Sequence, residues 1–300
     1  MTKTKERVAL FILLGQSNAV GHGVPMEEQD KIKVPLKNVF GLSREKNQSF
    51  ENEQLVWSGY TSGGMNLGES QDHTYSVANC LARLWQDEID SGNKRNLPDL
   101  YIIQIAIGAQ GVTENYMWYP DRKKTLIPGE LGTVDISLYP FTTHILGMVE
   151  NSLKIIGKEA DMISLHWRGG ENDSTVPCDV LHRDLESIYA RIFEGFYHAL
   201  GKKVPVILHY LPFKERSLEC DPSGEWLKSM HVTNEVFAKL VRENDNMSLF
   251  DSRTATHYVA DTRQHGLFLE DAVHYNSQTN KWVALQILES YALQCIASNL

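Results

Sequence analysis

The sequence predicts an α/β fold: a three-layer α/β/α sandwich around a central five-stranded parallel sheet. Five short, mostly apolar segments recur along the 300 residues, segments with helical spacing lie between and after them, and no internal repeat or low-complexity linker breaks the alternation. Continuous apolar runs mark strands covered on both faces, and strand–helix alternation is the pattern of a parallel sheet. One domain spanning 1–300 is the simplest organisation, because no composition shift marks a place to cut the chain.

The first apolar run, 8–14, reads as a buried strand. It is far shorter than the roughly 20 residues a membrane helix needs. Lys3, Lys5 and Arg7 precede it as in a leader peptide, but no small-residue cleavage site follows. The other strands are expected at 100–107, 162–167, 204–211 and 247–251. Helical spacing covers 75–89, 142–156, 181–200, 226–241 and 281–296. In the last of these, Trp282, Leu285, Leu288, Tyr291, Ala292 and Cys295 keep the i, i+3, i+4, i+7 stripe that buries one helix face. Two stretches, 21–71 and 108–139, lack this rhythm. Long loops without periodicity are usually functional. Both follow a predicted strand and so emerge at the carboxyl edge of the sheet, where open α/β folds bind ligands.

Composition narrows the function. With 42% hydrophobic and 22% charged residues the chain is globular, and a net charge of −9 repels nucleic acid and anionic membranes. Neither is expected as a partner. Cys80, Cys178, Cys220 and Cys295 show no metal-ligand spacing and fit reduced thiols. A cytoplasmic location is expected, or a secreted one if a leader has been removed. Nucleotide-binding glycine loops and the His-Glu-x-x-His zinc motif are absent from the sequence. His166, His182, His198 and His209 fall on predicted strands or helices without ligand spacing, and core or surface roles are expected for them.

Chemistry concentrates in two places. Gly15-Gln16-Ser17-Asn18 puts a serine at a strand-to-helix turn, the position of a nucleophile and equally that of a helix cap. A serine nucleophile needs a base held by a carboxylate, and Asp271 and His274 supply both just before the final helix. His257 and His265 compete as bases, the latter four residues after Asp261, but neither sits as directly before that helix.

Together these blocks resemble the SGNH hydrolases. Gly15-Gln16-Ser17-Asn18, the block from Trp167 through Gly170, Glu171 and Asp173, and Asp271 to Asn276 are similar to three blocks of the sialate O-acetylesterase and carbohydrate esterase family six branch. The resemblance implies a flavodoxin-like sheet and a serine esterase that removes acetyl groups from a carbohydrate without metal or organic cofactor. It implies Ser17 as nucleophile, His274 as base and Asp271 as its orienting partner. The segment from Ala106 to Gly111 looks like the family's oxyanion block, with Gly108 and Gly111 both open as the donor beside the Ser17 N–H. Trp118 falls where the family often has a substrate tryptophan, although a core position is an equal alternative, and the aromatic-rich 116–139 loop would stack on a sugar. Gln16, Asn18, Gly170, Glu171 and Asp173 would support the site. The departure is Gly169, which stands where the family has a glutamine donor. Arg168 beside it is a candidate replacement, though strand alternation would turn it away. The alternative reading is a glycan-binding protein that keeps the fold and has lost most turnover, as Gly169 in place of the glutamine suggests.

Overall fold

The computed structural model describes residues 5–44, 54–69, 74–114, 116–122, 126–129, 132–135, 137–175, 178–212, 224–258, 266–271 and 273–298. Its central sheet is built on β1 (Glu6–Gly15), which lies parallel between β4 (Leu100–Ala106) and β7 (Lys158–Arg168). From Val8 to Gly15 every residue of β1 is buried. Its side chains divide by strand alternation: Val8, Leu10, Ile12 and Leu14 enter one core, and Ala9, Phe11 and Leu13 the other. The first core is closed by α3 (Leu138–Ile155), α4 (Cys178–Leu200) and α5 (Glu225–Glu243), and the second by α2 (Val77–Asp90) and α6 (Ser277–Ser298). Three layers result, as the alternation predicts.

The sheet has seven strands, not five, in the order β3-β2-β4-β1-β7-β8-β9, with β8 at Val206–His209 and β9 at Met247–Phe250. All five expected strands are present. The two additions, β2 (Val39–Leu42) and antiparallel β3 (Trp57–Gly59), come from the stretch without periodicity. They are short, and their pairing is supplied by the β4 edge, where Phe40 stacks on Tyr101 and Trp57 meets it edge-on. A hairpin of β5 (Leu126–Gly129) and β6 (Gly132–Asp135) lies in the second long loop.

The five expected helices appear with shifted ends. In α6, Leu285 is 39% exposed and leaves the expected stripe; Val283, Ala284 and Ile287 are buried instead. Cys80 and Cys295 are free and buried, while the side chain of Cys178 and all of Cys220 lie outside what is described. Among the described residues no helix is long and apolar enough to cross a membrane.

Without the β2 and β3 edge, the parallel core runs second, first, third, fourth, fifth in chain order, so the strand order reverses between β1 and β7. Ligands bind at such a reversal, beyond the carboxyl ends of the strands. Registry brings the relevant ends together: Gly15 pairs with Ala106 on one side and with Arg168 on the other. The residues that follow each strand therefore emerge side by side.

Candidate active site

Gly15 has φ of 141°, and a methyl there would collide with the Arg168 carbonyl. Only glycine lets β1 end this close to β7. The Gln16 N–H then donates to the same Arg168 carbonyl at 3.0 Å, and the chain turns into the short helix α1 (Ser17–Val20). (Ser17 is no side-chain cap; Gln16 holds the cap position.) Ser17 is 7% exposed.

Its two neighbours are fixed by one carboxylate. Gln16 Nε2 donates to Glu171 Oε2 at 2.5 Å, and Asn18 Nδ2 to Glu171 Oε1 at 2.7 Å. Asn18 also reaches across to the last loop: its Nδ2 donates to the Val273 carbonyl at 3.2 Å, and its Oδ1 accepts from the Tyr275 N–H at 3.0 Å. Asn18 thereby holds the residues on both sides of His274.

Asp271 meets His274 directly, with Oδ2 and Nδ1 2.7 Å apart. Its other oxygen accepts the N–H groups of Val273 and His274, each at 2.9 Å. Burial pushes the Asp271 carboxyl upward, but the His274 side chain and these N–H donors outweigh it and hold the group below the ordinary carboxylate range. Asp271 is thus an anionic acceptor at neutral pH. His257, one competing base, is hydrogen-bonded to Thr279 Oγ1 at 2.9 Å; Asp261 and His265 lie outside the described residues.

The two oxyanion candidates sit differently. A methyl placed on Gly108 would lie 3.8 Å from Ser17 Cβ. One on Gly111 would collide with Asp173 Oδ1. Asp173 accepts the Val112 N–H at 2.7 Å and the Tyr189 hydroxyl at 2.9 Å, fixing the loop after β4 from beneath. Full burial pushes the Asp173 carboxyl up to about 7 despite those donors. Asp173 thus supports the site through a backbone N–H and the Tyr189 hydroxyl, and Glu171 through the side-chain amides of Gln16 and Asn18.

Trp118, the aromatic loop and Arg168 take the structural side of their alternatives. Trp118 is fully buried, edge-on to Trp167 with ring centres 5.0 Å apart, and donates its indole N–H to the Gly15 carbonyl at 3.0 Å. It braces the nucleophile turn and has no face for a substrate. Tyr119 and Tyr139 likewise pack against the core, so the aromatic loop owes much of its composition to packing. Arg168 is 1% exposed: Nη1 donates to Asn280 at 3.0 Å and the guanidinium lies 4.6 Å from the Tyr275 ring centre. Strand alternation sends it beneath the last loop, where it is committed to Asn280 and Tyr275. Gly170 has φ of 126°, a conformation only glycine adopts easily, and a methyl on Gly169 would meet only ordinary contacts, the nearest being Gly15 Cα at 3.4 Å.

Two residues outside the motif blocks join the cluster. The His22 ring lies 5.3 Å from that of His274, and the backbone N–H of His22 donates to the Ser17 carbonyl at 2.9 Å. Glu69 Oε2 accepts the Gly108 N–H at 2.7 Å. Neither belongs to a motif block, so the sequence reading did not single them out. His166 and His209 are buried and hydrogen-bonded to each other at 3.1 Å, the core one of the two roles expected of them.

The sheet order makes this a three-layer α/β/α fold with the candidate site at the carboxyl edge of its parallel strands. Among solved structures the chain is similar to NanS at a TM-score of 0.61 and 13% identity, covering 98% of this chain and 99% of that one. It is also similar to a carbohydrate acetylesterase from Xanthomonas citri (TM-score 0.46, 11% identity, 92% of this chain and 54% of that one). A lipase/acylhydrolase from Enterococcus faecalis gives a TM-score of 0.41 at 12% identity, with 96% and 97% covered. No family model and no curated protein matches the sequence.

Proposed function

We propose that this chain is a serine esterase that removes O-acetyl groups from a carbohydrate through an acyl-enzyme. The observation that carries the reading is the Asp271–His274 pair, held by Asn18 to the turn that bears Ser17. The acetylated sugar rests on the motif resemblance.

Ser17 Oγ attacks the acetyl carbonyl while His274 takes its proton, and the imidazolium is stabilised by the anionic Asp271. The N–H groups of Ser17 and Gly108 receive the developing oxyanion; Gly108 is preferred to Gly111 because it lies against Ser17, whereas Gly111 lies against Asp173. His274 then returns the proton to the sugar oxygen as it leaves. Water activated by His274 attacks the acyl-enzyme and releases acetate.

The test is acetate release from acetylated sugars, combined with mass-spectrometric mapping of a fluorophosphonate adduct. Turnover with the adduct on Ser17 is the expected result. An adduct on another serine, or binding of acetylated sugar without acetate release, overturns the proposal.

A further inference from the structure

Glu69 brings a carboxylate to the reacting centre. Its Oε2 accepts the Gly108 N–H at 2.7 Å, and its Oε1 lies 3.9 Å from His22 Nδ1. A methyl placed on Gly108 would stand 3.4 Å from that Oε2, 3.8 Å from Ser17 Cβ and 3.9 Å from His22 Nδ1, so all three residues converge on one point.

The backbone bearing Glu69 is fixed to β4. The Leu67 N–H donates to the Gln104 carbonyl at 2.9 Å. Asn66 Oδ1 accepts from the Ala106 N–H, and its Nδ2 donates to the Ala106 carbonyl, both at 2.9 Å. The Gly68 N–H closes the turn on Asn66 Oδ1 at 3.1 Å. Residues 66–69 therefore follow the end of β4 and deliver Glu69 to the donor just beyond it.

That donor is an N–H which the proposed mechanism assigns to the oxyanion. A carboxylate oxygen and a tetrahedral oxyanion carry the same sign of charge and accept the same kind of hydrogen bond. They compete for one position. We infer that the corner formed by Ser17, the Gly108 N–H and His22 is a carboxylate-binding site, filled by Glu69 in the resting chain, which small carboxylates and the acyl group of the substrate enter by displacing it. The substrate half of this inference rests on the esterase reading; the carboxylate half does not.

The experiment titrates sodium acetate into the wild type, Glu69→Ala and Glu69→Gln at constant ionic strength, following the Gly108 amide by NMR, alongside kinetics on a neutral acetyl ester. Emptying the corner is expected to tighten acetate binding by about tenfold, the worth of one net hydrogen bond. Glu69→Gln, which keeps an acceptor and loses the charge, should fall between. The ester's kcat/KM should rise in Glu69→Ala through a lower KM. Equal acetate affinity in all three proteins, or a Gly108 amide that does not respond, overturns the inference; so does a hundredfold fall in kcat in Glu69→Ala, which would make Glu69 part of the chemistry. If no form hydrolyses the ester, the esterase reading fails while the acetate titration still decides the carboxylate site.

Discussion

The indole N–H of Trp118 donates to the carbonyl of Gly15 across 3.0 Å, tying the loop after β4 to the last residue of β1. Both groups are buried, so neither has water as an alternative. Trp118→Phe should strand that carbonyl and cost about 1–3 kcal/mol. Trp118→Ala adds a cavity and should cost about 3–5 kcal/mol. Urea denaturation measures both. Weaker sugar binding with unchanged stability would instead put the indole at the substrate.

Ser17→Ala should remove hydrolysis and leave the fold intact. His274→Ala should lower the rate by several orders of magnitude, and Asp271→Asn, which disturbs the tautomer of His274, by up to about 10⁴-fold. His257→Ala is the control, since that imidazole is engaged by Thr279. A comparable loss in His257→Ala or His265→Ala, with His274→Ala active, would show that another histidine is the base.

Gly169→Gln tests the missing donor. The site accepts a Cβ, with Gly15 Cα at 3.4 Å, Trp167 Nε1 at 3.5 Å and Gln16 Cγ at 3.6 Å. A correctly aimed amide there should raise kcat by up to about 10²–10³-fold. Arg168→Ala should act mainly on stability, because it removes a buried side chain from Asn280 and Tyr275. A selective loss of kcat in a stable Arg168→Ala, with no gain in Gly169→Gln, would assign the donor role to the guanidinium.

The buried histidines predict an acid liability. Burial, and then the charge of Arg168, push the His166 pKa from 6.5 to about 3, and burial holds His209 well below its ordinary value. Below pH 6.5 the unfolded chain binds protons that the folded chain refuses, so stability is lost as pH falls, by about 2 kcal/mol for His166 at pH 5. Asp173 opposes this: with its carboxyl raised to about 7, the fold keeps a proton between about pH 4 and 7 that the unfolded chain has released. The double variant His166→Phe, His209→Phe should gain stability relative to the wild type between pH 7 and pH 5, measured by denaturant titration. A constant difference between the two proteins would mean that the pair does not titrate as described.

The strands that form the middle of the sheet were legible because both of their faces are covered, which leaves unbroken apolar runs such as Val8 to Leu14. The strands β2 and β3 were not, since a pair this short is held by the β4 edge, Tyr101 above all, rather than by its own pattern. The residues around the turn and the last loop were recognisable from motif spacing. Glu69 and His22 were invisible for the opposite reason: one arrives by way of Asn66 and Gly68 folded onto β4, the other by a turn of chain after Ser17. Trp118 stayed open because an aromatic residue near a ligand loop reads the same whether it faces a sugar or the underside of a strand.

Ser17 extends from β1, the strand flanked on both sides by β4 and β7, whereas Asp271 and His274 belong to a loop outside the sheet, held by Asn18, by the Leu269 N–H on the His274 carbonyl and by a small cluster of Leu267, Phe268 and Tyr275. The two halves of the proposed catalytic pair therefore differ in durability. A loop outside the sheet, with its own small cluster, opens locally at lower cost than a central strand, which opens only with the whole domain. Under rising denaturant the proposed base should leave its partner while the sheet is still intact, so that any hydrolysis stops before the protein unfolds and returns as soon as one loop closes again.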